Sequence, residues 1–335
     1  MRAMTRFPLP TLVAMVIALC AAASVPAPAT AGTVEYPIKG RTITMIVPST
    51  AGGGTDTAAR LIAPLMQKDL GTPIQIVNKP GASMQIGLSE VAAAKPDGYT
   101  LVWSVLPTAA SIYLDPERKS TFGRKDLQPL ALVYEAPFCV WALASSPYKT
   151  LKDVVDAAKA RPERIKGGTT GYMSTGHFAN IEFQRAAGVK LATVNFQGGG
   201  PEITALLGGH IDVAFNSIGE LLGHNKSGTI RILGVMDEQE SGFLPGVKTL
   251  GAQGYKAQPI GSDVGLSAPG GLPKEIIDLL TNSVRKAMGD EEFKKKMTEQ
   301  GNTLRYLPPQ EYAAHWDRAD ARFKLLIEIA KKQGE

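Results

Sequence analysis

Two short segments carry the residue types that hold an anion. Pro48-Ser49-Thr50-Ala51-Gly52-Gly53-Gly54-Thr55-Asp56 lies between a β-branched run and a helical pattern. Gly171-Tyr172-Met173-Ser174-Thr175-Gly176-His177 repeats the arrangement further along the chain. In each, small residues let a ligand approach the main chain, and the first N–H groups of the following helix attract negative charge. The hydroxyls of Thr50, Thr55, Ser174 and Thr175 add donors. Asp56 beside such a site reads as an N-terminal cap that holds the turn and suits the helix dipole, with a bridging water or a ligand amine as further partners. One glycine-rich turn is as often a plain turn as a site. Two matching turns point to a cleft.

Other chemistries fail on spacing. Gly52-Gly53-Gly54 lacks the third glycine of a dinucleotide fingerprint, and no Lys-Ser/Thr follows to make a phosphate loop. The stretch Gly171 to Gly176 misses the G-x-S-x-G spacing by one residue, so Ser174 does not read as a nucleophile. His177, His210, His224 and His315 show no metal-ligand spacing, and only His177 has a site context. No catalytic residue, metal ligand or cofactor is assigned. Lys294-Lys295-Lys296 reads as a solvated helix face, and Trp103, Trp141 and Trp316 as core.

The elements that must position the turns alternate between strand and helix. Ile43 to Val47, Ile74 to Val77 and Tyr99 to Ser104 read as strands. Asp56 to Leu70 reads as a helix closed by Gly71, with Pro64 expected to kink or shorten it. The same grammar restarts after Pro137 with strands at Cys139 to Leu143, Ile165 to Thr169, Leu191 to Phe196 and Ile211 to Phe215. Helices open at Thr150 with Asp153 three residues on, and cover about His177 to Ala187 and Glu202 to Leu207. A strand at Val264 to Ala268 precedes the helical stripe Ile276, Ile277, Leu280, Val284 and Met288, and a last amphipathic helix starts near Pro309. This alternation implies an α/β fold of mostly parallel sheets flanked by helices. Chain crossings near 130–140 and 260–268 suggest two lobes on a two-strand hinge. Lobe I takes 32–135 plus 262–335, and lobe II takes 136–261.

Residues 1–31 read as a cleaved signal peptide. Arg2 and Arg6 precede an apolar run from Leu12 to Ala23, and Ala29-Thr30-Ala31 offers the small–x–small pattern, with cleavage after Ala31. A lipid anchor at Cys20 is weakened by Leu19. Those two arginines are the only charges in the segment, so the remaining chain carries a formal +3 instead of +5. That balance, without an aromatic–basic stripe, argues against nucleic acid. No later stretch reaches the 18 or so unbroken apolar residues of a membrane span. Cys139 is then the single cysteine, which excludes an internal disulfide.

The residues resemble the tripartite tricarboxylate transporter receptors, also called Bug-type binding proteins. The resemblance runs through Tyr36-Pro37, Ile43 to Pro48, Ala51 to Asp56, Ala59-Arg60, Asn78-Lys79-Pro80-Gly81-Ala82, Ile86-Gly87 and Lys95 to Leu101. It continues through Gly188-Val189, Gly208 to Asp212, Gly228 to Arg231 and Ala268 to Pro273. It implies a Venus-flytrap protein of type II-like form, exported to the periplasm, whose lobes close on a small organic acid. Its two strand–turn–helix elements would pinch one carboxylate through backbone groups and ordered water. Carried over, the binding set is Ser49, Thr50, Ala51, Gly52, Gly53, Gly54, Thr55 and Asp56, with Gly171, Tyr172, Met173, Ser174, Thr175 and His177. Thr108, Phe196, Gln197, Asn216 and Asp263 are expected to line the cleft. The implied partners are the acid and the membrane permease subunits of a tripartite transporter, with the receptor a monomer.

This chain departs from many relatives at Ser49, where they carry an aromatic, and at Met173, where they carry glycine. It also has Ser262-Asp263 near the place of a tryptophan before Gly265-Leu266. An acidic Asp263 near the site would disfavour a second carboxylate there or pair with a basic group, and a plain surface Asp fits the sequence equally well. A sensory binding protein that informs a membrane kinase would share all these features. A periplasmic enzyme ranks third, lacking an assembled nucleophile, base or metal set. Mono-, di- and tricarboxylates, aromatic acids and acidic amino acids all fit a pinched carboxylate.

Overall fold

The computed structural model describes residues 35–334, and the signal peptide expected at 1–31 lies outside them. In chain order the elements are β1 (Ile43–Val47), α1 (Gly54–Leu70), β2 (Ile74–Asn78), α2 (Gln85–Ala92), β3 (Thr100–Leu106), α3 (Thr108–Leu114), β4 (Leu127–Leu143), α4 (Leu151–Ala160), β5 (Lys166–Thr169) and α5 (Thr175–Ala187). They continue with β6 (Ala192–Asn195), α6 (Gly199–Leu207), β7 (Val213–Ser217), α7 (Ile218–Lys226), β8 (Ile230–Val235), β9 (Gly261–Pro269), α8 (Lys274–Met288), α9 (Glu291–Glu299), β10 (Thr303–Leu307) and α10 (Pro309–Gly334).

The strands run in the order β2-β1-β3-β9-β4-β7-β5-β6, with β8 and β10 also pairing with β4. At the two outer ends the ladders are parallel, β1 with β2 and β3, and β5 with β6 and β7. Helical crossovers cover both faces there, which is why Ile43, Met45, Ile46 and Val47 are all buried. In the middle, every ladder made by β4 or β9 is antiparallel. The α/β class follows from the alternation, whereas these central directions follow from chain that leaves one half and returns from the other.

β4 is the element that joins the halves. Its first part, Leu127 to Pro137, pairs with β9, and its last part, Phe138 to Leu143, pairs with β7 and β8. The partner changes at Pro137, which has no N–H to donate, and Phe138 N–H donates to Ile260 O at 3.0 Å on the returning strand. Register shifts between Pro129 and Ala131, Leu132 and Tyr134, and Val140 and Trp141 bend the strand and curl the sheet.

α1 runs through Pro64 without interruption, contrary to the shortening expected from its sequence. Pro64 is exposed, opposite a buried face made by Ala58, Ala59, Ile62, Ala63 and Met66, so the carbonyl it leaves unbonded faces water. α10 packs on both halves of the molecule. Its Phe323 ring stacks 5.5 Å from Phe178 of α5, while Trp316 Nε1 donates to Tyr113 OH of α3 at 2.8 Å. Both phenylalanines are buried, each contributing about 1.5–3 kcal/mol. Trp103, Trp141 and Trp316 are fully buried core residues. Lys294, Lys295 and Lys296 pair with Glu291, Glu299 and Glu292 on the solvent side of α9.

Candidate functional site

β1 ends at Val47 and the chain turns through Ser49 to Gly53 into α1. Gly52 takes φ 83, a left-handed value that glycine adopts without a Cβ clash. Asp56 locks the turn. Its Oδ2 accepts the Gly52 N–H and Arg60 Nε, each at 2.9 Å, and its Oδ1 accepts Asn78 Nδ2 at 2.8 Å. The N-cap is Gly53, so Asp56 occupies the third helical position instead of the capping position expected for it. From there an acid reaches back over the first turn. Burial opposes its charge, but the bonds from Arg60, Gly52 and Asn78 outweigh burial and hold the carboxyl below the usual range. Asp56 thus faces the protein and lies behind the cleft wall. Thr57 N–H is bonded to Gly53 O at 2.9 Å, while among the described residues no acceptor meets the N–H of Thr55 or Asp56.

The second turn is built differently. Ser174 is the N-cap of α5, its Oγ accepting His177 N–H at 3.3 Å. The Thr175 N–H donates to Thr108 Oγ1 at 3.1 Å. His177 Nδ1 accepts the Met173 N–H at 3.0 Å. Burial pushes the His177 pKa down to about 4, so near neutral pH the ring keeps the lone pair this bond needs. Met173 holds φ 54, a left-handed value, and its side chain is fully buried. Tyr172 is exposed and its carbonyl accepts Ser83 Oγ at 2.7 Å.

Between the halves lies a cavity of about 500 Å³. Ser49 through Thr55 line it, with Thr108, Ser174, Thr175, Phe196, Gln197 and Asn216. Gly171, Tyr172, Met173, His177 and Asp263, all expected at the site, are outside this lining, as is Asp56. The first four shape the turn from behind. Asp263 points to the other face of β9 from Ser262 and Val264, both of which line the cavity, and its Oδ2 meets His315 Nε2 at 2.8 Å. Asp263 therefore pairs with a base, one of the roles read for it, away from the cleft. Glu135 joins Asp263 and His315 with ligand-type atoms within 4.8 Å of one another, but Arg305 already pairs with Glu135. That cluster holds an Arg305–Glu135 ion pair beside the Asp263–His315 hydrogen bond.

Several wall residues had escaped the sequence reading. Gly198, Gly199 and Gly200 form a third glycine run, from the N-cap into the first turn of α6, a local signal in the sequence. Tyr134 and Asn302 come from distant segments with no local motif, whereas Ser262 belongs to the Ser262-Asp263 departure read from the sequence and does line the wall. Glu220, in the first turn of α7, also lines the wall. Burial raises its pKa, with Asn216 and the Gly54 N–H opposing the rise. Ser49 Oγ is buried at the wall without a hydrogen-bond partner. Across the cleft, Ser262 Oγ donates to Thr175 Oγ1 at 3.2 Å, and Ser111 Oγ donates to Met173 O at 2.9 Å.

A cavity enclosed by glycine-rich turns on two halves that share β4 defines a solute-binding protein. The chain belongs to the tripartite tricarboxylate transporter receptor family, whose sequence profile matches residues 58–331. Protein BugT of Bordetella pertussis strain Tohama I is 30% identical over 294 residues, covering 87% of this chain and 89% of that protein. Among solved structures, MatC of Rhodopseudomonas palustris with bound malate is 28% identical with a TM-score of 0.80, over 87% of this chain and all (100%) of that one. A second R. palustris protein, solved with adipate, is 26% identical with a TM-score of 0.82, over 89% and 99%. No described helix is long and apolar enough to cross a membrane.

Proposed function

We propose that this chain is a periplasmic receptor that captures a small organic carboxylate between its two halves and delivers it to a tripartite permease. The observation that carries the reading is the pair of unmet N–H groups at Thr55 and Asp56, at the positive end of α1 behind a wall of glycines. At α5 the protein's own hydroxyls already take the Thr175 and His177 amides, so the first turn is the docking surface and the second turn closes over it. A cavity of about 500 Å³ suits a small acid. The malate and adipate complexes of the two relatives support the ligand class. β4 and β9, which cross between the halves near Pro137 and Gly261, are the hinge about which lobe I (32–135 with 262–335) and lobe II (136–261) close.

Thermal denaturation of the chain from Gly32, against small acids and their neutral amides, tests this. A ligand that binds only the native state raises Tm by mass action. An acid that raises Tm, with an amide that does not, is the expected result. Equal shifts for acid and amide, or no shift with any acid, would reject the carboxylate reading.

A further inference from the structure

Glu220 is the one carboxylate among the described residues that line the cavity, and no lysine, arginine or histidine accompanies it. Its Oε2 accepts Asn216 Nδ2 at 3.2 Å, and the same amide nitrogen donates to Oε2 of Glu202 at 2.9 Å. Glu202 is fully buried and also accepts the Phe215 N–H, at 3.2 Å. Across the cleft the Gly54 N–H of α1 faces the Glu220 carboxyl, and Tyr134 of β4 is its other ionisable neighbour. On the α6 side stands Gly199, where an added Cβ would fall 1.7 Å from Glu220 Oε2, so the carboxyl fills the space this glycine leaves. An amide N–H, a phenol, a glycine, a side-chain amide and, across that amide, the Glu202 carboxyl surround Glu220. None is a cation.

Glu220 is half-buried, its partners are neutral donors, and two carboxylates in one site repel. A bare organic acid seated on α1 would therefore meet Glu220 as a like charge. We propose that the ligand is an α-amino carboxylate whose ammonium group is received by Glu220. The inference rests on the carboxylate reading above and narrows it. The unmet amides of Thr55 and Asp56 follow directly after Gly54, which faces Glu220, so the donors for a carboxylate and the acceptor for an ammonium adjoin. In an α-amino acid those two groups are separated by a single carbon. The ammonium offers three donors, and the bond it makes to a carboxylate is charge-assisted.

The test is calorimetric titration with matched pairs that differ only by the amine: alanine and propionate, aspartate and succinate, glutamate and glutarate, phenylalanine and phenylpropionate. In at least one pair the amino acid should bind about tenfold or more tighter than its partner. Glu220→Gln should erase that advantage while leaving the partner's affinity equal or better. Gly199→Ala, which displaces the carboxyl without removing its charge, should also shrink the advantage, and Tm of both variants checks their folding. Desamino acids that bind as tightly as their amino acids in every pair that binds, or an amino preference that survives Glu220→Gln, overturn the inference and leave carboxylate capture standing. Binding by no member of any pair overturns both.

Discussion

Thr108 Oγ1 accepts the Thr175 N–H at 3.1 Å and lies 3.2 Å from Thr175 Oγ1, so a hydroxyl at the start of α3 closes the amide end of α5. Thr108 starts α3 and Thr175 starts α5, so the proposed hinge closure would make this contact. An amide left without its acceptor costs about 1–3 kcal/mol when buried. Thr108→Val keeps the shape and removes the acceptor. It should lower stability in urea by about 1 kcal/mol and weaken ligand affinity several-fold. Unchanged affinity would remove this clasp from the closing mechanism.

Asp56 holds the first turn by three bonds, from Gly52 N–H, Arg60 and Asn78, and lies outside the cavity lining. Asp56→Asn keeps the size but loses the ion pair with Arg60, itself half exposed, so the stability loss should stay near 1 kcal/mol. The larger effect should fall on binding, since the Gly52 N–H loses a charged acceptor and the turn relaxes. The folded carboxyl has a pKa below its unfolded value. Its contribution is thus present above the unfolded pKa and is lost as pH falls through the folded one. Acid titration of stability should show a shallower decline below about pH 4 in Asp56→Asn than in the wild type.

His177 governs a separate, milder acid range. Its folded pKa of about 4 lies below the ordinary 6.5, so between these values the unfolded chain binds the proton first. Stability is full above pH 6.5 and is lost as pH falls toward 4, by up to roughly 3 kcal/mol. The Met173 N–H bond to Nδ1 cannot persist on a doubly protonated ring. Urea midpoints measured across this range should fall in the wild type and stay flatter in His177→Gln. Parallel curves for the two proteins would assign the acid loss elsewhere.

The ends of the sheet were legible because local signals there agree with the fold. Ile43 to Val47 is a strand as read, the Thr150–Asp153 capping box opens α4, and Gly71 and Gly188 end α1 and α5 in left-handed conformations. β4 was read only as its last five residues, because Pro129 and Pro137 break its pattern while its pairing comes from distant β9. α3 and α7 are short and carry no stripe long enough to announce a helix. At the site, glycine runs disclosed the turns but not which side chains face inward. Met173 illustrates the limit. Its left-handed φ of 54 is one that glycine adopts freely, yet the methionine carries a buried side chain into the core and stays outside the cavity lining. Glu220 left no trace, since an acid in a first helical turn is the ordinary companion of the helix dipole.

Gly53 separates docking from folding. Its φ of −73 suits any residue, and an added Cβ would meet Thr50 O at 3.7 Å and Glu220 Oε1 at 3.8 Å, both ordinary contacts. Alanine should therefore fold and bind with modest loss. Valine extends its branches into the space beside the Thr55 and Asp56 amides, so a solute can no longer reach the main chain. Gly53→Val should keep a cooperative melt while affinity falls by at least about tenfold, or 1.4 kcal/mol. Because Glu220 stands on the same side, the double variant with Glu220→Gln decides the cause. If valine acts by blocking the amides, the loss persists in the Glu220→Gln background. If it acts by displacing the carboxyl, the second substitution leaves nothing further to lose.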